Sequence, residues 1–207
     1  MSEDKFNHFK HNYWYNYLNL EKKVIDFEKY LSFESANLDA FSIEILELIL
    51  LICSEIEIIG SHYKISTLSN NIKSPPDCFL QKSEVEIRSC YSSTKLSFSP
   101  FAVEQKSKNK YMPPEWWSDG YNKNKHSRIN FEFAKLKYLL NALCALFALE
   151  KYTMMKLAEN EQWLFSGLFD TIDFNPYESK LCRFSMINEE DYYDQLWNFY
   201  KNLEISN

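Results

Sequence analysis

Three glycines in 207 residues leave few places where the backbone can turn through the left-handed region without steric cost. A many-turned β-sandwich needs more of them, so long helices are expected. Long apolar runs are missing as well. The longest, Leu48 to Cys53 and Ala142 to Leu149, fall well short of the roughly 20 residues a membrane span needs, so no membrane partner is expected. The five cysteines, Cys53, Cys78, Cys90, Cys144 and Cys182, are odd in number and include no CxxC pair. That spacing suits buried reduced thiols better than a disulfide framework or a zinc site. The N-terminal Met1-Ser2-Glu3-Asp4-Lys5 is charged and lacks the apolar core of a signal peptide, so a cytoplasmic location is expected. There is no glycine-rich phosphate loop, serine-nucleophile motif or metalloprotease motif. No cofactor and no metal are implied. His8 and His11 are three apart, but no third ligand accompanies them.

The formal net charge is −6. Any contact with nucleic acid must therefore use a local basic patch against the overall field.

What is present is mostly helix-patterned. Tyr13, Tyr17, Leu20, Val24, Phe27 and Leu31 recur at three- and four-residue steps, which predicts a helix from about His11 to Phe33. Asn37 or Asp39 offers a cap for a second helix from about Ala40 to Ile59. This one is apolar over most of its circumference and is expected to be buried. Glu44, Glu47, Ser54 and Glu55 fall on one stripe of it, with Glu57 elsewhere. From about 66 to 114 prolines interrupt the pattern, and the region reads as an irregular insertion. Glu84 to Ile87 and Lys95 to Phe98 alternate in it as a small β-hairpin would. A short helix is expected over Trp116 to Arg128. Asn130 can cap a long one from Phe131 to about Ala158, apolar from Tyr138 to Leu149 except for Asn141. A last helix over about 189–203 would start at Asn188, with acidic residues in its first turn.

The densest polar constellation lies between Trp116 and Arg128. On a helix, Asn122 and His126 are neighbours four apart, with Lys125 and Arg128 close by. A histidine that exchanges a proton near neutral pH, beside cations that hold a phosphate, suits cleavage of RNA at a 2′-hydroxyl. The same residues also describe a solvated basic helix with a structural histidine. The Trp116-Trp117 pair can stack bases or can pack the helix onto the core.

Three segments carry a resemblance: "FSIEILELILLICSEIEII" from Phe41 to Ile59, "PEWWSDGYNKNKHSR" from Pro114 to Arg128, and "NFEFAKLKYLLNALCALFALEKY" from Asn130 to Tyr152. Together they resemble the HEPN superfamily, all-helical domains of bacterial toxins, defence proteins and RNases. In its active RNases an Arg precedes a His by a few residues, often with Asn directly after the Arg. His126 matches the His and Asn122 the Asn. Tyr121 stands where the Arg would be, and Gly120 and Asp119, at the alternative spacings, are not Arg either. The forked guanidinium that binds phosphate is thus missing from its place, and Lys125 and Arg128 would have to substitute.

The resemblance implies a single domain over residues 1–207, an antiparallel bundle of four or five helices. It implies a metal-independent endoribonuclease of a toxin–antitoxin or phage-defence system, with His126 as acid or base. Lys125 and Arg128 would hold the phosphate, Asn122 would position it, and Glu47 or Glu55, with Tyr121, would support the cluster. RNA, a second copy in a homodimer, and a cognate antitoxin or defence-system protein are the implied partners. The alternative is an inactive module of the same fold that binds RNA, nucleotide or a partner protein.

Overall fold

The computed structural model describes residues 7–68, 75–107, 110–126, 131–160 and 178–185. The expected cap Asn130, the last helix and Arg128 lie outside these residues. Among the described residues the chain is mainly helical, with five short strands.

The first helix opens with a π turn, Lys10–Trp14, and continues as α1, Tyr15–Glu28. It stops short of Phe33 because the chain turns at Lys29 and Tyr30, where the Tyr30 amide bonds the Phe27 carbonyl. That turn lets Phe33 fold back fully buried. Helix α2, Ile43–Tyr63, is capped by Ser42, whose hydroxyl accepts from the Ile45 amide at 3.2 Å. The expected caps do other work. Asn37 folds back on Ser32, and Asp39 pairs with Lys135 and Lys137. Lys64, at φ 55°, ends α2 in the left-handed region, a usual helix stop.

A short helix α3, Cys78–Lys82, leads into strands β1, Val85–Arg88, and β2, Lys95–Phe98. These form the expected hairpin, with Val85 opposite Phe98 and Arg88 opposite Lys95. A second hairpin joins β3, Glu104–Ser107, to β4, Lys110–Met112. The motif region follows as a π turn, Trp116–Asn122, and helix α4, Lys123–His126. Helix α5, Leu136–Asn160, starts later than expected, after a 3-10 turn at Phe131–Phe133. Strand β5, Cys182–Phe184, pairs antiparallel with β1, giving a three-stranded sheet in the order β2-β1-β5. The first hairpin of the expected insertion is thus tied to the helices. Val85 and Ile87 are buried, and β1 packs on α5.

Helix α5 is the centre. From Ala142 to Leu149 every side chain is buried, because α1, α2, α3, the motif turn and β1 all pack around it. Its main neighbour, α2, contributes Ile45, Ile49, Ile52, Ile56 and Ile59, all fully buried and spaced three or four apart. Each such side chain contributes roughly 1.5–3 kcal/mol when removed from water. The two helices begin side by side. The Leu136 amide bonds the Ala40 carbonyl at 2.8 Å, and Lys137 bonds Leu38 at 3.0 Å. Further along, Glu55 lies within electrostatic reach of Glu150. The central pair therefore runs parallel, and the expected antiparallel arrangement is corrected at this interface. The connection between the two helices is long enough, through the hairpins and the motif helix, to return the chain to the same end. No helix among the described residues is long and apolar enough to cross a membrane.

Two carboxylates on one face of α1 tie the sheet to the helices. Glu21 is almost fully buried. It accepts from the Tyr17 hydroxyl at 3.1 Å, the Lys180 amide at 3.1 Å, the Leu181 amide at 3.0 Å and the Ser179 hydroxyl. Seven residues on, Glu28 accepts from the Cys90 amide at 3.1 Å. These bonds fix the strand ends where β1 and β5 meet.

Candidate functional site

The motif helix is held from beneath by aromatic rings. Trp116 and Trp117 are buried with their rings edge to face, 5.5 Å apart. The Trp116 indole donates to the Pro100 carbonyl at 2.8 Å. The pair packs the helix onto the core, and the base-stacking reading is set aside. Gly120 allows the close approach. A Cβ there would stand 2.9 Å from the Tyr138 ring on α5. Asn124, fully buried, donates to the Gly120 carbonyl at 3.0 Å and so joins the π turn to α4. Nothing in the sequence pattern singled Asn124 out.

On this platform Tyr121 and Lys125 meet Glu57 of α2. The Tyr121 hydroxyl donates to Glu57 Oε2 at 2.9 Å. Lys125 Nζ donates to both carboxylate oxygens, at 2.9 and 2.7 Å, and lies 5.0 Å from the Tyr121 ring centre. Burial, together with the Glu57 contact and against the effect of Lys125, pushes the Tyr121 phenol up to about 12. The bond to Glu57, followed by that to Tyr121, holds the Lys125 ammonium above its ordinary value. Both ends of this ion pair are some two-fifths exposed, so it contributes no more than about 1 kcal/mol. It is a loose lock on Lys125.

The expected acidic partners do not reach the described part of the motif helix. Glu47 and Glu44 are exposed, as is Ser54, so that stripe is the solvent face of α2. Glu55 is half-buried and lies toward Tyr13 and Glu150. Neither Glu47 nor Glu55 pairs with Lys125 or His126 among the described residues. The carboxylate that does reach the motif helix is Glu57, two residues from Glu55 and so on nearly the opposite face. The spacing had separated these faces, but periodicity alone does not say which of them the motif helix covers.

His126 is exposed and has no hydrogen-bond partner among the described residues. Asn122 does not orient it. The Asn122 amide nitrogen is buried without a partner. Lys123 pairs with Asp119 at 3.0 Å and lies over the Phe133 ring at 4.7 Å. Each described lysine of the motif helix is thus matched by a carboxylate, and His126 stands beside them unpaired. No group of three or more His, Cys, Asp or Glu able to hold a metal occurs among the described residues. His8 and His11 separate, the first toward His62 and the second toward Tyr15.

No family model matches the chain, and no curated protein or solved structure matches it either.

Proposed function

We propose that this protein is a HEPN-like helical module of a prokaryotic toxin or anti-phage defence system, and that its motif helix binds RNA without cutting it. The observation that carries the second half is the Lys125–Glu57–Tyr121 contact. Cleavage requires a cation poised for the phosphate and an imidazole held in one orientation. Here Lys125 rests on a carboxylate, and the imidazole has no orienting partner among the described residues, which do not include Arg128. The position before Asn122, where a guanidinium would sit, is Tyr121, and its hydroxyl is also spent on Glu57. RNA binding needs less. A phosphate can displace Glu57 from Lys125 at small cost, since the ion pair is weak, and exposed His126 lies next along the helix. The second reading, a metal-independent endoribonuclease, is supported by the exposure of His126. It needs a further cation at the phosphate, supplied by Arg128 or by a second copy of the chain in a homodimer with a composite site.

The interface hypothesis has a directional test. Replacing Glu57 by Gln releases Lys125 to phosphate. Titrated with a fluorescent single-stranded RNA, Glu57→Gln is expected to bind several-fold more tightly than wild type. Its log affinity should also fall more steeply with log salt, because the Lys125–phosphate contact no longer frees a carboxylate that takes up a salt cation. Lys125→Ala should move both quantities the other way. Identical affinity and salt slope in all three proteins would remove the motif helix from any RNA interface.

A further inference from the structure

A second cluster of titratable groups lies away from the motif helix, where the first helix meets α2 and α5. Leu139, Leu143, Leu146 and Glu150 follow one another on α5 at steps of four, three and four, so they share a face. Glu150 is thus a carboxyl group in a leucine stripe. It is 1% exposed, and its Oε2 has no hydrogen-bond partner at all. Leaving such an oxygen unpaired in a core is costly. Half-buried Glu55 approaches it from α2. Tyr13 lies within electrostatic reach of both carboxyls and Tyr63 of Glu150, and the two ring centres are 5.5 Å apart. The exposed His62 lies 5.9 Å from Tyr13 and 4.7 Å from Tyr63, with His8 6.4 Å further out. His62 and His8 are the exposed end of this cluster.

The neighbouring lysine is turned elsewhere. Lys151 Nζ sits over the Trp14 ring at 4.8 Å and the Phe147 ring at 5.8 Å. No lysine or arginine pairs with Glu55 or Glu150 among the described residues. Two carboxyl groups without a donor among the described residues, with tyrosine rings near them, form the recognition chemistry for an organic cation, which takes carboxylates at its N–H groups and π faces along its side. A metal ion fits less well, since no third ligand joins the carboxyls among the described residues.

We propose that this junction binds a small organic cation, an amine or a guanidinium, between Glu150 and Glu55 and against the rings of Tyr13 and Tyr63. Burial, then the charge of Glu55, holds Glu150 well above the ordinary carboxylate range despite Lys151, which favours the neutral acid. Binding of the cation converts that carboxylic acid to carboxylate. The proton passes to the buffer, and the cation's charge replaces it.

Isothermal titration of the full chain with methylguanidinium and with putrescine tests this, each in two buffers of different ionisation heat. Wild type should bind at least one of them saturably, with heats that differ between buffers by the released proton. Glu150→Gln, which mimics the protonated acid in shape, should bind about tenfold or more weakly and without the buffer difference. Glu55→Gln should weaken binding, and Glu104→Gln on β3 should leave it unchanged. Absence of saturable binding by wild type, or wild-type affinity in either Glu150→Gln or Glu55→Gln, would overturn the proposal.

Discussion

Glu21→Ala should cost about 3–5 kcal/mol of folding stability, more than any exposed charge in this chain. The Glu21 carboxylate takes four donors into a buried place: two side-chain hydroxyls and two backbone amides from residues 17, 179, 180 and 181. Alanine leaves the two amides and the Ser179 hydroxyl without this acceptor, while the Tyr17 hydroxyl keeps Ser179 Oγ at 2.8 Å, and each buried unpaired group costs about 1–3 kcal/mol, part of which local rearrangement and water recover. The two amides precede β5, so the loss falls on the attachment of that strand to the helices. Urea unfolding of wild type and Glu21→Ala measures the difference. Glu21→Gln keeps one oxygen but turns an NH₂ toward donors, and should fall between the two. A loss below about 1 kcal/mol in Glu21→Ala would mean that residues 179–181 gain nothing from this carboxylate.

Leu143→Ala is the other large expected effect, about 2–5 kcal/mol. Leu143 is fully buried on the α5 face that carries Leu139 and Leu146. A truncation there opens a cavity inside the helix about which the rest of the molecule packs. Because helices surround α5 on several sides, the site collapses poorly, which favours the upper half of that range. Thermal and chemical denaturation should agree on the sign. Leu51→Ala, on the solvent face of α2 where Leu51 is 46% exposed, should cost well under 1 kcal/mol.

These two sites differ in how far the sequence announces them. Leu143 is legible because a run that is apolar all round a helix has to be central. The same logic identified α2 and its burial. The strands at 85–88 and 95–98 were legible from alternation, but β5 was not. Cys182-Arg183-Phe184 is too short to show a period, and its strand character comes from pairing with β1. Glu21 gave no signal either. On α1 it looks like one more charged residue beside Lys22 and Lys23. Only the arrival of residues 179–181, far along the chain, makes it an interior acceptor. The relative direction of α2 and α5 was likewise hidden, since periodicity is the same for parallel and antiparallel neighbours. At the candidate site, Lys125 and His126 were found from their spacing on one helix, and Tyr121 only through the resemblance. Their carboxylate was missed because that choice depends on which face of α2 the π turn at Trp116–Asn122 covers. The wide turn and the contact of Gly120 with Tyr138 set that face, and they are tertiary facts.

The ion pair between Lys125 and Glu57 is where the account is most exposed. The direct measurement is incubation of the full chain with a labelled single-stranded RNA in EDTA, alongside His126→Ala, with fragments resolved on a denaturing gel and RNA retention measured in the same samples. The account predicts that wild type and His126→Ala both leave the RNA intact while wild type retains it. RNA fragments produced by wild type and lost in His126→Ala would contradict it and establish the imidazole as the catalytic group of a ribonuclease.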